Sequence, residues 1–115
     1  MAYSKKKEIK LNIDGRVFFI ETADTFLTRF LGLMGRKTLP EKHGLMLENC
    51  RSIHCFFMRF PIDAIYLSKD GTVLFKETVK PWRIGRFHVK GTKDILEINK
   101  GEGTFFTEGM NIYAG

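Results

Sequence analysis

The chain is short of several features, and each shortage excludes a class of protein. It has two cysteines in 115 residues, too few for a disulfide-stapled scaffold. No apolar run approaches the ~18 residues of a membrane-crossing helix. The opening Met1-Ala2-Tyr3-Ser4-Lys5-Lys6-Lys7 has none of the apolar stretch of a secretory signal, so the expected location is the cytoplasm, with no membrane partner. Neither paired CxxC nor HxxxH spacing occurs, so no metal or other cofactor is expected. No Gly-rich phosphate loop is present either, because Gly32 and Gly35 lack the Gly-Lys-Ser/Thr that follows in one. Internal repeats and low-complexity linkers are likewise missing. No motif in the chain specifies a reaction.

What is there suffices for one core. Apolar residues make up 43% of the chain, including eleven Phe. A domain of this size buries roughly two-thirds of its unfolded surface, which makes disorder an unsuitable description. Residues 1–8 read as a flexible basic tail and residues 9–115 as a single domain. The formal charge of +6 is unevenly placed. Lys5-Lys6-Lys7 reads as a solvated tail, with a nucleic-acid arm as the sharper alternative. The stretch 80–93 gathers Lys80, Arg83, Arg86, Lys90 and Lys93 with Trp82 and Phe87 and no acid, so it offers an anion-binding or nucleic-acid-binding loop. The plainer alternative there is a solvated basic loop whose Trp82 packs inward.

Two Asp-Gly pairs organise the strands. Residues 9–13, Asp14-Gly15 and residues 16–21 predict a two-residue type I′ hairpin. That register sets Ile13 opposite Arg16, Leu11 opposite Phe18 and Ile9 opposite Ile20, collecting four apolar residues on one face. The second pair, Asp70-Gly71, joins residues 62–67 to residues 72–79 in a hairpin with apolar residues on both faces, expected in the sheet interior. There Asp63 shares a face with Ile65 and Leu67 and faces Thr78. An unpaired carboxylate at such a position costs several kcal/mol, so an Arg or several amide donors are expected against it. Asp24 or Thr25 caps a helix running to about Arg36, with Phe26, Leu27, Phe30, Leu31 and Met34 as its apolar stripe. Further strands are expected at 45–48, 55–58 and within 88–99, followed by a turn-rich tail pinned by Phe105, Phe106, Ile112 and Tyr113. The sum is a small α+β domain: one main helix and a mixed, mostly antiparallel sheet curled into a barrel-like core.

Few residues carry chemistry. Cys50, His54 and Cys55 lie close together, with His43 and His88 as further nitrogen donors, but their C-x3-H-C spacing is not that of a zinc site. A thiolate nucleophile at Cys50 or Cys55 working with His54 is the catalytic reading, set against small apolar cysteines in a core. Paired carboxylates for acid–base work are absent on this reading, since Asp63 alone is placed inside.

The block Arg29-Phe30-Leu31-Gly32-Leu33-Met34-Gly35-Arg36, Leu39-Pro40, Gly44-Leu45-Met46-Leu47, Ile53-His54-Cys55-Phe56-Phe57-Met58-Arg59-Phe60-Pro61-Ile62-Asp63 and Asp70-Gly71-Thr72-Val73 resembles the domain of unknown function 192 (DUF192) family. Pro81-Trp82-Arg83 and Leu96-Glu97-Ile98 extend the likeness over residues 9–110. Cys55 stands where the family commonly has Thr, and Met110 follows Gly109 where it tends to read Gly-Asp. The resemblance implies a small mixed-strand barrel-like domain with a packed helix and supplies no catalytic mechanism. Many relatives are exported or lipid-anchored, from which the opening residues separate this chain.

The polar members of the motif suggest a site: Asp63 paired with Arg29 or Arg59 at one end of the barrel, His54 and Met58 nearby, and Trp82 and Arg83 bordering a small pocket. The same Arg–Asp pair is equally an arrangement that only fixes the fold. The leading functional expectation is a binding module for a small anionic ligand or a partner protein, without chemistry of its own. The alternatives are the thiol–imidazole enzyme and a nucleic-acid-binding module working through Arg83, Arg86 and Lys90.

Overall fold

Asp14 and Gly15 hold φ of 54° and 84°, the left-handed values a two-residue type I′ turn demands. They join strand β1 (Glu8–Ile13) to β2 (Arg16–Ala23), with Ile13 opposite Arg16, Leu11 opposite Phe18 and Ile9 opposite Ile20, the register expected from the turn. This is a computed structural model, and it describes residues 8–23, 39–50, 60–80 and 89–114. Within them follow β3 (His43–Leu47), β4 (Ile62–Leu67), β5 (Val73–Val79) and β6 (Asp94–Asn99), then one 3-10 turn, Glu102–Phe105.

The strands form one sheet in the order β1-β2-β3-β6-β4-β5. The β2–β3 pair is parallel and the others are antiparallel. The α+β barrel expectation is corrected here. Among the described residues the only helix is the single 3-10 turn, and β1 and β5 are left as unjoined edges, so the domain is a mostly-β open sheet. Strand number alone does not decide closure, because a barrel needs its two outer strands to pair and these do not. The expected main helix at residues 24–36 and the strand at 55–58 lie outside the described residues. A second correction concerns the later hairpin: β4 is interior, flanked by β5 and β6, but β5 is the edge. No helix among the described residues is long and apolar enough to cross a membrane.

Both faces of the sheet are packed, which is why β4 is buried at every position and β6 at all but Asn99. One face collects Phe18, Ile20, Met46, Ile65 and Leu96, against which the C-terminal residues Phe106 and Ile112 pack. Phe18 meets the Phe106 ring edge-on at 5.3 Å. Burying Phe106 completely is worth roughly 2–3 kcal/mol, and it ties the turn-rich tail to the sheet as the sequence suggests. The other face gathers Leu45, Leu47, Ile62, Ala64, Tyr66 and Ile95.

Candidate functional site

Pro61 precedes β4, and two residues later Asp63 is carried onto the face shared with Ile65 and Leu67. The residue is only 6% exposed. Thr78, directly opposite on β5, donates its hydroxyl to Oδ1 at 2.6 Å. The amides of Gly101 and Gly103 donate to Oδ2 at 2.9 and 2.8 Å. Gly101 holds φ of 96°, and this left-handed residue opens the 3-10 turn and turns the amides inward. Gly103 is required for a different reason, since a Cβ there would sit 2.6 Å from Asp63 Oδ2. The buried acid is thus answered by amide donors and by Thr78, the cross-strand partner read from the sequence.

Beside this anchor a cleft of about 380 Å³ opens between β5 and the segment after β6, lined among others by Asp63, Lys76, Thr78, Lys100 and Thr104. Lys76 lies on the Asp63 face and donates from Nζ to the Gly103 carbonyl at 2.9 Å. Glu77 contributes to the rim, but its carboxylate accepts the Tyr66 hydroxyl at 2.5 Å on the opposite face. Asp63 accepts from three neutral donors and Glu77 from Tyr66, and the ammonium groups of Lys76 and Lys100 line the cleft beside them.

Of the residues singled out in the sequence, Asp63 is in this place, and Lys90 is exposed elsewhere in the chain. Arg29, His54, Cys55, Met58, Arg59, Trp82, Arg83, Arg86 and His88 lie outside the described residues. Cys50 is half-buried, and its amide donates to the Lys93 carbonyl at 2.8 Å. His43 stacks on Phe19 at 5.2 Å, with Nδ1 2.9 Å from the Glu41 carbonyl. Among the described residues no three His, Cys, Asp or Glu side chains are grouped to hold a metal.

Sequence reasoning placed one acid inside, and the structure buries three among the described residues: Asp63, Asp94 and Glu97. Asp94 accepts the Asn49 amide at 2.9 Å and has Lys93 at 3.6 Å. Glu97 lies beside Ala64 on β6 while Glu77 lies beside it on β5, so these two acids share a face with β4 between them. The signal for Glu97 was present, since an acid inside Ile95-Leu96-Glu97-Ile98 is buried whichever face it takes. Lys76 was also legible once Asp63 was set against Thr78, because alternation puts residue 76 on that face.

Together these features define a small open-sheet domain of mixed strand direction whose C-terminal segment is anchored on a buried acid. Residues 9–112 match the profile of DUF192, described as "Uncharacterized ACR", and the chain belongs to that family. The UPF0127 protein of Pyrococcus furiosus is 34% identical over 103 residues, covering 82% of this chain and 83% of the relative. A UPF0127 protein of Thermococcus gammatolerans is 41% identical over 105 residues, covering 76% and 67%. A crystal structure from Sinorhizobium meliloti, of a protein provisionally assigned as a transcription regulator, superposes with a TM-score of 0.75 at 21% identity, covering 95% of this chain and 92% of that one. A protein of unknown function from Novosphingobium aromaticivorans gives 0.71 at 20% identity, covering 86% and 76%. At these identities the two structures establish the fold alone.

Proposed function

We propose that this domain is a binding module for an anionic group, taken up at the Asp63 end of the sheet, with no covalent chemistry of its own. The observation that carries the reading is the division of labour in the cleft. Its buried carboxylate accepts from Thr78, Gly101 and Gly103, while Lys76 and Lys100 line the opening. Ammonium groups beside hydroxyls attract oxyanions, and a low-dielectric wall strengthens that attraction. Thr104 supplies a hydroxyl, the one Thr78 hydroxyl proton being donated to Asp63. The motif side chains Arg29, His54, Met58, Arg59, Trp82 and Arg83 belong to the same proposal as further contributors.

The test is titration of the full chain with inorganic phosphate at constant ionic strength, followed by amide chemical shifts. Saturable shifts at Thr78, Lys100 and Thr104 are expected. The double variant Lys76→Gln with Lys100→Gln should weaken binding roughly tenfold, the scale of two partly exposed charge contacts. Shifts that stay linear in phosphate, or are unchanged in the double variant, would remove this reading.

A further inference from the structure

Beyond the anionic group itself, β5 offers a way to recognise what carries that group. The Lys93 amide donates to the Leu67 carbonyl at 2.8 Å, so Leu67 directs its main chain toward β6. Main-chain groups alternate in direction along a strand, hence Ile65 and Asp63 direct theirs the same way. Their partners across the hairpin are Lys76 and Thr78. In an antiparallel pair both residues bond to each other or neither does, so the N–H and C=O of Lys76 and Thr78 point off the outer side of β5. That side has no neighbouring strand among the described residues. The beginning of β5 is already used in this manner: Val73 donates to the Met110 carbonyl and accepts from the Gly109 amide, each at 2.8 Å. Past that point the edge runs along the cleft, and the cleft is lined by residues 76 to 78 of this same strand.

We propose that an extended acidic peptide adds to this edge as a seventh strand, pairing with the main chain of Lys76 and Thr78 and placing its carboxylates at Lys76, Lys100 and Lys80. The proposal rests on the anion-binding reading and assigns its partner class. Strand addition draws affinity from main-chain hydrogen bonds and specificity from side chains on alternate positions. Charge selects the partner. Lys76 lies on the edge strand, Lys80 follows it, exposed, and Lys100 stands across the cleft, while Asp63 and Glu77 are already bonded elsewhere. A lysine on an edge strand also discourages pairing of the edge with itself, because a two-fold contact would oppose like charges. The same residue therefore selects an acidic strand over a second copy of this chain.

The experiment uses fluorescence polarisation on the full chain with a labelled seven-residue peptide alternating Glu and Val. Its comparators are the same peptide N-methylated on either alternate set of amides, and a peptide alternating Lys and Val. The acidic peptide should bind and the basic one should not. One N-methylated form should lose roughly tenfold or more, since each methyl deletes a hydrogen bond, and the other should bind nearly normally. Lys100→Glu, at an exposed position, should weaken the acidic peptide by a similar factor. Equal binding of both N-methylated forms would overturn strand addition. Failure of every peptide while phosphate still titrates the cleft amides would overturn the partner class but leave the anion reading intact, and loss of both would end both. Concentration-dependent self-association that protects the Lys76 and Thr78 amides would overturn it in favour of a second copy.

Discussion

The molecule contains two Asp-Gly hairpins that differ in almost everything except the dipeptide. At Asp14-Gly15 both residues are left-handed, the loop has two residues, and a Cβ on Gly15 would find nothing within 4 Å. At Asp70-Gly71 only Gly71 is left-handed, with φ of 88°. The Gly71 amide donates to the Ser68 carbonyl and the Ser68 amide to the Thr72 carbonyl, each at 3.0 Å, which makes a three-residue loop. The Ser68 hydroxyl donates to the Asp70 carboxylate, and the Thr72 amide donates to the same Oδ1 at 3.2 Å. These side-chain bonds hold Asp70 in a type I turn, so the flanking Ser and Thr, rather than the dipeptide, select the loop. The second hairpin is also a dock. Ile112 donates to the Gly71 carbonyl at 3.0 Å, Asn111 donates from its side chain to the Asp70 carbonyl at 2.8 Å, and Thr72 bridges to Asn111. The first hairpin meets the tail mainly through rings: Phe18 with Phe105 and Phe106, and Arg16 over Phe105 at 4.1 Å.

If the second hairpin is what fastens the tail, its single buried acid should be the most damaging residue to remove. Asp63→Ala leaves the buried Gly103 amide and the part-buried Gly101 amide without their acceptor. The expected cost is roughly 3 kcal/mol or more. In a domain of this size that lowers Tm by ~10 °C or more, with faster hydrogen exchange at Gly101 and Gly103 than at the β1–β2 amides. Uniform acceleration across both hairpins would instead make Asp63 a general core residue and erase the contrast.

The two turn glycines give a closer comparison. Gly15→Ala meets only the left-handed backbone penalty, about 1 kcal/mol. Gly71→Ala meets the same penalty and a collision, because its Cβ would lie 2.3 Å from the Tyr113 ring. Overpacking adds about 1–3 kcal/mol, less where the ring can swing aside, and Tyr113 is 52% exposed. Denaturant midpoints should therefore place Gly71→Ala below Gly15→Ala, and truncation of the Tyr113 ring to Ala should bring the two together. Equal midpoints with Tyr113 intact would show that the ring does not confine Gly71.

The same pair of turns shows what was legible in the sequence. Asp14-Gly15 lies between two runs of opposite periodicity, so local residues decided the turn, the register and the buried face at once. For the second hairpin the pairing of Asp63 with Thr78 was equally readable, but its edge position was not. A strand with apolar residues on both faces looks interior; here Gly109 and Met110, far along the chain from Val73, cover the start of its free side. The acid at residue 63 could be named in advance and its need for donors stated, yet Gly101 and Gly103 lie too far along the chain for any local pattern to nominate them. Lys76 followed from register alone, whereas Lys100 joins the cleft only through the path of the tail. Openness of the sheet was likewise beyond local reading, since it depends on whether β1 meets β5.

The smallest effect expected is also the one that separates the two aspartates by chemistry. Hydrogen bonds from the Ser68 hydroxyl, and then from the Thr72 side chain and amide, hold the Asp70 carboxyl below its ordinary value. A carboxyl depressed in the folded state stabilises that state once pH exceeds its unfolded pKa of about 3.9, and the contribution fades as pH falls through the lower folded value. Asp70→Asn keeps a side-chain acceptor but cannot titrate. The gap in Tm between the natural chain and Asp70→Asn should therefore be constant above about pH 5 and narrow as pH drops below about 4. A gap independent of pH across that range would mean that Ser68 and Thr72 hold the turn by geometry alone, and that the charge on Asp70 plays no part in choosing the loop.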